Sequence, residues 1–93
     1  MANLIPIPTT TELIEELRRI YADNLEIPLE NVTMDADLAA DLGVDSLTQD
    51  ELMTLAFERY GISDKADHIQ PMSYHTIGDI ADLIQRLLGE ENS

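Results

Sequence analysis

One short stretch in the middle of the chain, Asp41-Leu42-Gly43-Val44-Asp45-Ser46-Leu47, holds the residues whose types and spacing could do chemistry. The Ser46 hydroxyl could act as a nucleophile, accept a covalently attached group, or serve only as the hydrogen-bonding cap of a helix. A phosphate attached at a helix N-terminus would be stabilised by the helix dipole and by unpaired backbone N–H groups. The elements around Ser46 must decide among these three roles.

A serine nucleophile needs a general base within hydrogen-bonding reach and donors for the oxyanion. The histidines, His68 and His75, both follow the helix expected after Ser46, and the pattern Gly-x-Ser-x-Gly is absent. A chain of 93 residues also leaves little room for a deep cleft. We therefore predict that the protein is not an enzyme.

The composition narrows the classes of partner. The chain has 5 Lys and Arg against 19 Asp and Glu, a formal charge of -14 that repels nucleic acids and anionic membranes and favours basic protein partners. It has no cysteine, so any thiol chemistry must be imported. No signal peptide and no apolar run of about 20 residues is present. We expect a monomeric cytoplasmic protein that binds neither nucleic acid nor membrane.

Two amphipathic helices are predicted in the first two thirds of the chain. Helix one runs from about Thr10 to Asn24 and begins with a capping box formed by Thr9 and Glu12. Helix two runs from about Ser46 to Tyr60, and Ser46 with Gln49 has the same capping-box spacing. At about 100° per residue, its core face contains Gln49, Leu52, Met53, Ala56 and Tyr60.

The remaining elements complete a small bundle. A third helix begins at the cap-like pair Thr76 and Asp79 and ends at Gly89, and one short helical segment precedes it at about 63–69. The residues between helices one and two form a long loop whose scattered apolar side chains should pack back on the helices. The fold class is therefore all-α, with residues 1–93 as one domain, residues 1–8 as an extended lead-in and residues 90–93 as a disordered tail.

Metal binding is not expected. The aspartates Asp35, Asp37, Asp41 and Asp45 recur as in a calcium loop, but Ala40 stands where an EF-hand needs glycine and Ser46 where it needs glutamate. The two histidines have no cysteine to support a zinc site.

The stretch from Asp35 to Leu47, followed by Glu51-Leu52, resembles the acyl and peptidyl carrier proteins, in which the serine of Asp-Ser-Leu carries 4'-phosphopantetheine. The similarity extends from about Glu12 to Leu88. It implies that Ser46 is the attachment point, that Gly43 gives the modifying transferase access to it, and that Asp45 helps to present the loop. The arm would supply the thiol that the chain lacks, so acyl or aminoacyl groups would travel as thioesters.

The resemblance also implies a docking surface on helix two and its preceding loop. Its partners would be a phosphopantetheinyl transferase and acyltransferase, adenylating, ligase or synthase enzymes with basic patches. The expected docking residues are Asp41, Leu47, Asp50, Glu51, Thr54, Phe57 and Glu58. Phe57 is expected to be exposed, either as an apolar residue at the edge of the core or, together with Leu47, as an apolar anchor inside an acidic rim of Asp50, Glu51 and Glu58.

Two departures from the common fatty-acid carriers bear on the pathway. Asp50 occupies a position that is often apolar in them, and the segment Gln70–His75 lengthens the link into the last helix. We expect a discrete carrier of a polyketide or nonribosomal-peptide pathway. The segment is either a surface spacer or a place where Met72 or Tyr74 lines the mouth of an acyl pocket or touches a partner. A carrier for primary fatty-acid synthesis and an unmodified acidic adaptor are the alternatives.

Overall fold

The computed structural model describes residues 8–91, and the side chains of all of these except 66–68, 90 and 91. The described residues form three α-helices and no β-strand, which confirms the all-α bundle. The helices are α1 (Thr10–Leu25), α2 (Ser46–Arg59) and α3 (Ile77–Glu91). Short 3-10 turns cover Leu29–Asn31, Ser63–His68 and Pro71–Ser73. None of the described helices is long and apolar enough to span a membrane.

The helix starts at α1 and α3 agree with the sequence prediction. The Thr9 hydroxyl accepts a hydrogen bond from the Glu12 N–H at 3.1 Å, and the Glu12 carboxylate accepts one from the Thr9 N–H at 2.9 Å. The Thr76 hydroxyl likewise accepts from the Asp79 N–H at 3.1 Å. These bonds satisfy backbone donors that have no partner inside the helix.

The predicted end of the third helix is wrong. Gly61, which follows α2, has the left-handed φ of 72° that ends a helix, but Gly89 is not among the glycines with positive φ. The backbone therefore continues as helix to Glu91, so residues 90 and 91 are not part of a disordered tail. Asn92, Ser93 and residues 1–7 of the predicted lead-in lie outside the described residues.

The core lies between the three helices and is closed by the long loop, as predicted. α1 and α3 pack together along the inner sides on which Leu13, Leu17, Ile80 and Ile84 are fully buried. From the loop, the buried apolar side chains are Val32, Leu38 and Val44.

Two sets of polar contacts hold the loop in place. Near its start, the Arg18 guanidinium donates to the carbonyl groups of Leu29 and Val32. Further along, the Leu38 N–H donates to the His75 carbonyl at 2.8 Å, and the Gly78 N–H donates to the Met34 carbonyl at 3.3 Å. The loop is therefore attached first to α1 and then to the start of α3, just before the chain reaches Ser46.

Candidate functional site

Ser46 is the first residue of α2, and it is exposed. The residue that caps the helix is Asp45, whose Oδ1 accepts a hydrogen bond from the Thr48 N–H at 2.8 Å. The predicted capping box of Ser46 and Gln49 is therefore wrong. The capping residue is Asp45, one position before Ser46, and the Gln49 side chain is buried in the core. No hydrogen bond among the described residues engages the Ser46 hydroxyl, which leaves it available for covalent attachment.

The charge of Asp45 suits its position as a cap. The hydrogen bonds from Thr48, the backbone N–H first, hold the pKa of the Asp45 carboxyl below its usual value. An ionised carboxylate is also favoured by the positive end of the helix dipole. Asp45 therefore stays charged at neutral pH and keeps the start of α2 ordered beside Ser46.

The turn before Ser46 is built from the aspartates and a glycine. The Asp41 Oδ2 accepts from the Asp37 N–H at 2.9 Å, and the Asp37 Oδ1 accepts from the Ala40 N–H at 2.8 Å. Gly43 has a φ of 71°, and a Cβ built there would meet nothing within 4 Å. Gly43 is therefore required for its backbone conformation rather than for space.

These features fit a serine-linked pantetheine arm. Ser46 and Leu47 are both exposed, and the Leu47 side chain is 69% accessible. The stretch between Arg19 and Arg59, which includes Ser46, contains ten Asp and Glu residues and no Lys, Arg or His. Because the chain has no cysteine, an attached arm would introduce the thiol of this protein.

The structure brings four of the predicted docking residues to one open groove along α2. Its lining comprises Asn24, Thr48, Asp50, Glu51, Leu52, Thr54, Leu55 and Glu58. Asp41 lies apart, in a second groove with Ile27, Glu30 and Leu42. An exposed face of α2 thus has two leucines among carboxylates. We use the name docking surface for this face, because docking is predicted there; it comprises Leu47, Asp50, Glu51, Thr54, Leu55 and Glu58.

Phe57 does not belong to this surface, and its predicted exposure is wrong. Its side chain is 1% accessible. The ring is covered because the chain after α2 folds back along a second side of the helix, where Ile69 and Pro71 line a small gap with Phe57 and Met53. Leu55 is the exposed apolar residue that the sequence analysis missed, at 42% accessible. Helical spacing places it with Glu51 and Glu58 on the outward side of α2, which is the signal that could have found it.

Gln49 lies at the centre of a buried polar network. Its Oε1 accepts from the Tyr21 hydroxyl at 2.7 Å, and its Nε2 donates to the carbonyl groups of Pro71 and Tyr74 at 3.3 and 3.1 Å. Burial raises the pKa of the Tyr21 phenol, so this hydroxyl remains a donor throughout the physiological range. The network joins α1, α2 and the segment Gln70–His75, which sequence spacing alone does not connect.

The described residues hold no group of three or more His, Asp or Glu side chains arranged to bind a metal ion. His75 is exposed, and the side chain of His68 lies outside the described set.

Comparison with known proteins decides the family. The model of a family described as a phosphopantetheine attachment site matches residues 15–84, which is more than half of the chain. The chain belongs to this family of phosphopantetheine carriers. It is therefore a carrier and not a catalyst, and its covalent prosthetic group is 4'-phosphopantetheine.

Several relatives of this carrier are named acyl carrier protein. It is 37% identical to a protein named acyl carrier protein from Phenylobacterium zucineum. The alignment of 82 residues covers 85% of this chain and 98% of that protein. It is 35% identical to an acyl carrier protein of Amoebophilus asiaticus, over 87% of this chain and 99% of the relative. With the acyl carrier protein of Saccharopolyspora erythraea the identity is 33%, over 77% and 74% of the two chains. No solved structure gives a significant match.

Family membership has two consequences for this carrier. It interacts with a phosphopantetheinyl transferase, and with synthase or acyltransferase enzymes in general. The relatives' shared name does not separate a fatty-acid carrier from one of another pathway.

Proposed function

We propose that the phosphopantetheine arm is attached to the Ser46 oxygen through a phosphodiester. With coenzyme A as donor, the Ser46 oxygen loses its proton and bonds to the pantetheine phosphorus, the pyrophosphate bond breaks, and adenosine 3',5'-bisphosphate leaves. The observation that supports this assignment is the exposed and unbonded Ser46 hydroxyl at the start of α2, beside a different residue, Asp45, that caps the helix. When attached, the arm supplies a thiol that carries acyl or aminoacyl groups as thioesters. The contribution of the chain is to hold Ser46 outward on a rigid turn formed by Asp37, Asp41 and Gly43.

The test is incubation of the purified protein with a broad-specificity phosphopantetheinyl transferase and coenzyme A. We expect one phosphopantetheine to be added to the wild type, as measured by intact-protein mass spectrometry, and none to Ser46→Ala. Ser63→Ala is the matched control, because Ser63 is also exposed and also begins a helical turn. A wild type that gains no mass, or a Ser46→Ala variant that gains it, would contradict the assignment.

The docking surface is proposed as the site at which basic patches of partner enzymes bind. Leu47 and Leu55 are exposed at 69% and 42%, and their neighbours Asp50, Glu51 and Glu58 provide a polar and acidic rim. This arrangement combines an apolar contact with charges that orient an approaching basic partner. Phe57 contributes by supporting the helix from inside.

For the pathway, we propose a discrete carrier of polyketide or nonribosomal-peptide biosynthesis. The support is the resemblance stated above, in which Asp50 stands where fatty-acid carriers often have an apolar residue; in the structure this carboxylate is exposed beside the groove. Loading with malonyl and with aminoacyl donors by enzymes of each pathway would separate the candidates. Efficient elongation by fatty-acid synthase enzymes alone would favour primary fatty-acid synthesis instead.

We also propose that the chain is one carrier domain that acts as a monomer in the cytoplasm. The charge of -14 supports the monomer, since copies of so acidic a chain repel one another.

A further inference from the structure

Among the described residues, two small spaces border the inner sides of α2 near the attachment point. One small cavity lies between the loop, the first turn of α2 and the segment before α3, and its volume is about 10 Å³. Its lining residues are Leu38, Ala39, Val44, Gln49, Met72, Tyr74 and His75. A second gap, on the other side of α2 against Phe57, has a similar volume of about 10 Å³. Each of these spaces could hold one water molecule at most.

The wall of the first cavity contains a polar side chain that has little freedom to move. Gln49 is 1% accessible, and it uses its amide oxygen on Tyr21 and its amide nitrogen on the carbonyl groups of Pro71 and Tyr74. No side-chain polar atom buried among the described residues lacks a hydrogen-bond partner. A group that pushes Gln49 aside must therefore break bonds that have no replacement inside the core.

An acyl chain extending inward from Ser46 would meet Gln49 within one turn of the helix. Burial of methylene groups is favourable, but here it requires separating α1, α2 and the segment Gln70–His75. All three are joined by hydrogen bonds of the Gln49 side-chain amide. Tyr21 would lose its acceptor in the same step, because its hydroxyl is also buried.

We propose that Gln49 and its partner Tyr21 close the interior of the bundle to acyl chains, so that cargo stays outside the fold. The inference rests on the proposed attachment at Ser46. It follows that the carrier does not measure the length of an aliphatic cargo, and that its segment Gln70–His75 is a structural brace rather than the mouth of an acyl pocket. Short or polar cargo, which gains little from an apolar pocket, suits such a carrier.

The experiment loads the wild type with pantetheine arms that end in acetyl, hexanoyl or decanoyl amides, which resist hydrolysis. The readouts are Tm and the amide NMR shifts of Leu38, Val44 and Tyr74. In the wild type, we expect no change in Tm with chain length and no shift changes at these residues. A chain that enters the core would instead raise Tm by several degrees, since each buried methylene adds to the stability of a domain of this size.

The Gln49→Ala, Tyr21→Phe double variant removes the polar wall and leaves no unpaired phenol. We expect its Tm to rise from the acetyl to the decanoyl form. Gln49→Leu, Tyr21→Phe, which keeps the core filled, is the second arm if the first variant does not fold. Gln85→Ala is the matched control, because Gln85 also bridges to a backbone carbonyl, that of Pro8, but from α3; it should behave as the wild type does.

Three outcomes would overturn the inference. A wild-type Tm that rises with chain length would show that the core admits cargo, and shifts confined to the decanoyl form at Leu38, Val44 and Tyr74 would show the same. Loaded double variants that remain insensitive to chain length would show that Gln49 is not the barrier. Failure of the proposed attachment is a separate result, because the protein would then gain no arm at all in the mass spectrum.

Discussion

Capping the start of α2 and offering a hydroxyl for covalent attachment are functions of two adjacent residues, Asp45 and Ser46. Asp45 supplies the oxygen that satisfies the Thr48 N–H, and Ser46 occupies the first helical position with its hydroxyl unused by the helix. A phosphodiester on Ser46 therefore removes no capping bond. The adjacent residues can hold the helix end in the same conformation before and after modification.

The ionisation of Asp45 makes part of the stability of α2 depend on pH. Because the pKa of Asp45 is lowered in the folded protein, its contribution is fully present above the unfolded value of about 3.9 and is lost as the pH falls through the folded value. Asp45→Asn keeps a capping oxygen but cannot titrate. We expect the difference in unfolding free energy between wild type and Asp45→Asn to be constant above about pH 5 and to shrink below about pH 4. Urea unfolding at several pH values measures it, and a difference independent of pH would contradict the role assigned to Asp45.

At the scale of elements, α2 is a helix with two covered sides and one exposed side. Leu52, Met53 and Ala56 are buried in the core, and Phe57 is covered by the chain that returns after Gly61. The docking surface occupies the exposed side of α2. This arrangement makes the inner and outer apolar residues of the same helix separable by experiment.

Phe57→Ala should affect stability, whereas Leu47→Ala should affect acyl transfer. Removing the fully buried Phe57 ring should lower the unfolding free energy by about 3–5 kcal/mol, as for other buried aromatic residues. Leu47→Ala should change stability by less than about 0.5 kcal/mol, since Leu47 is exposed, but should slow acyl transfer by a cognate enzyme. Denaturant unfolding and transfer kinetics on the same preparations separate the two effects. Equal losses of stability would contradict the burial described here.

The sequence predicts helices well where a capping pair is local, and poorly where burial depends on a distant segment. Thr9 with Glu12 and Thr76 with Asp79 are three residues apart, and their spacing locates two helix starts. Ser46 with Gln49 has the same spacing, but the cap of α2 is Asp45. The burial of Phe57 depends on Ile69 and Pro71, which approach α2 through a path that helical periodicity cannot reveal.

In the candidate site too, the sequence reveals the residues that form local turns but not the contacts between distant residues. Ser46, Gly43 and the acidic loop are apparent from the sequence, since their spacing is that of a local turn. The role of Gln49 is not, because its partners Tyr21 and Tyr74 are 28 and 25 residues away. Its position on the core face was predicted correctly, but its hydrogen bonds required the tertiary structure.

On the scale of the whole molecule, charge is distributed unevenly. All five basic residues lie outside the stretch 20–58, which contains Ser46 and the docking surface. Arg18 is turned toward backbone carbonyl groups of the loop, and Arg59 is paired with Glu16 at 3.0 Å. The stretch that carries Ser46 and the docking surface is therefore acidic and attracts a basic partner.

Reversal of one charge on this face should slow encounter with a partner. We expect Glu51→Lys to lower the association rate with a cognate enzyme by about tenfold at low ionic strength. Asp82→Lys, an equal charge change at an exposed position of α3, should have a much smaller effect. The difference should narrow as salt shortens the Debye length to about 3 Å at 1 M. Stopped-flow binding at several salt concentrations measures it, and equal rates for the two variants would argue against the docking surface.

The two halves of the long loop are attached to different helices. The first half is held to α1 by Arg18, through contacts to Leu29 and Val32 that span 11 and 14 residues. The second half is held by the bonds of Leu38 to His75 and of Met34 to Gly78, which exist only while α3 is in place. A fluctuation that lifts the start of α3 breaks both of these bonds and leaves the Arg18 contacts intact. We therefore expect the amides of the turn that presents Ser46 to exchange together with those at the start of α3, and not with those of α1.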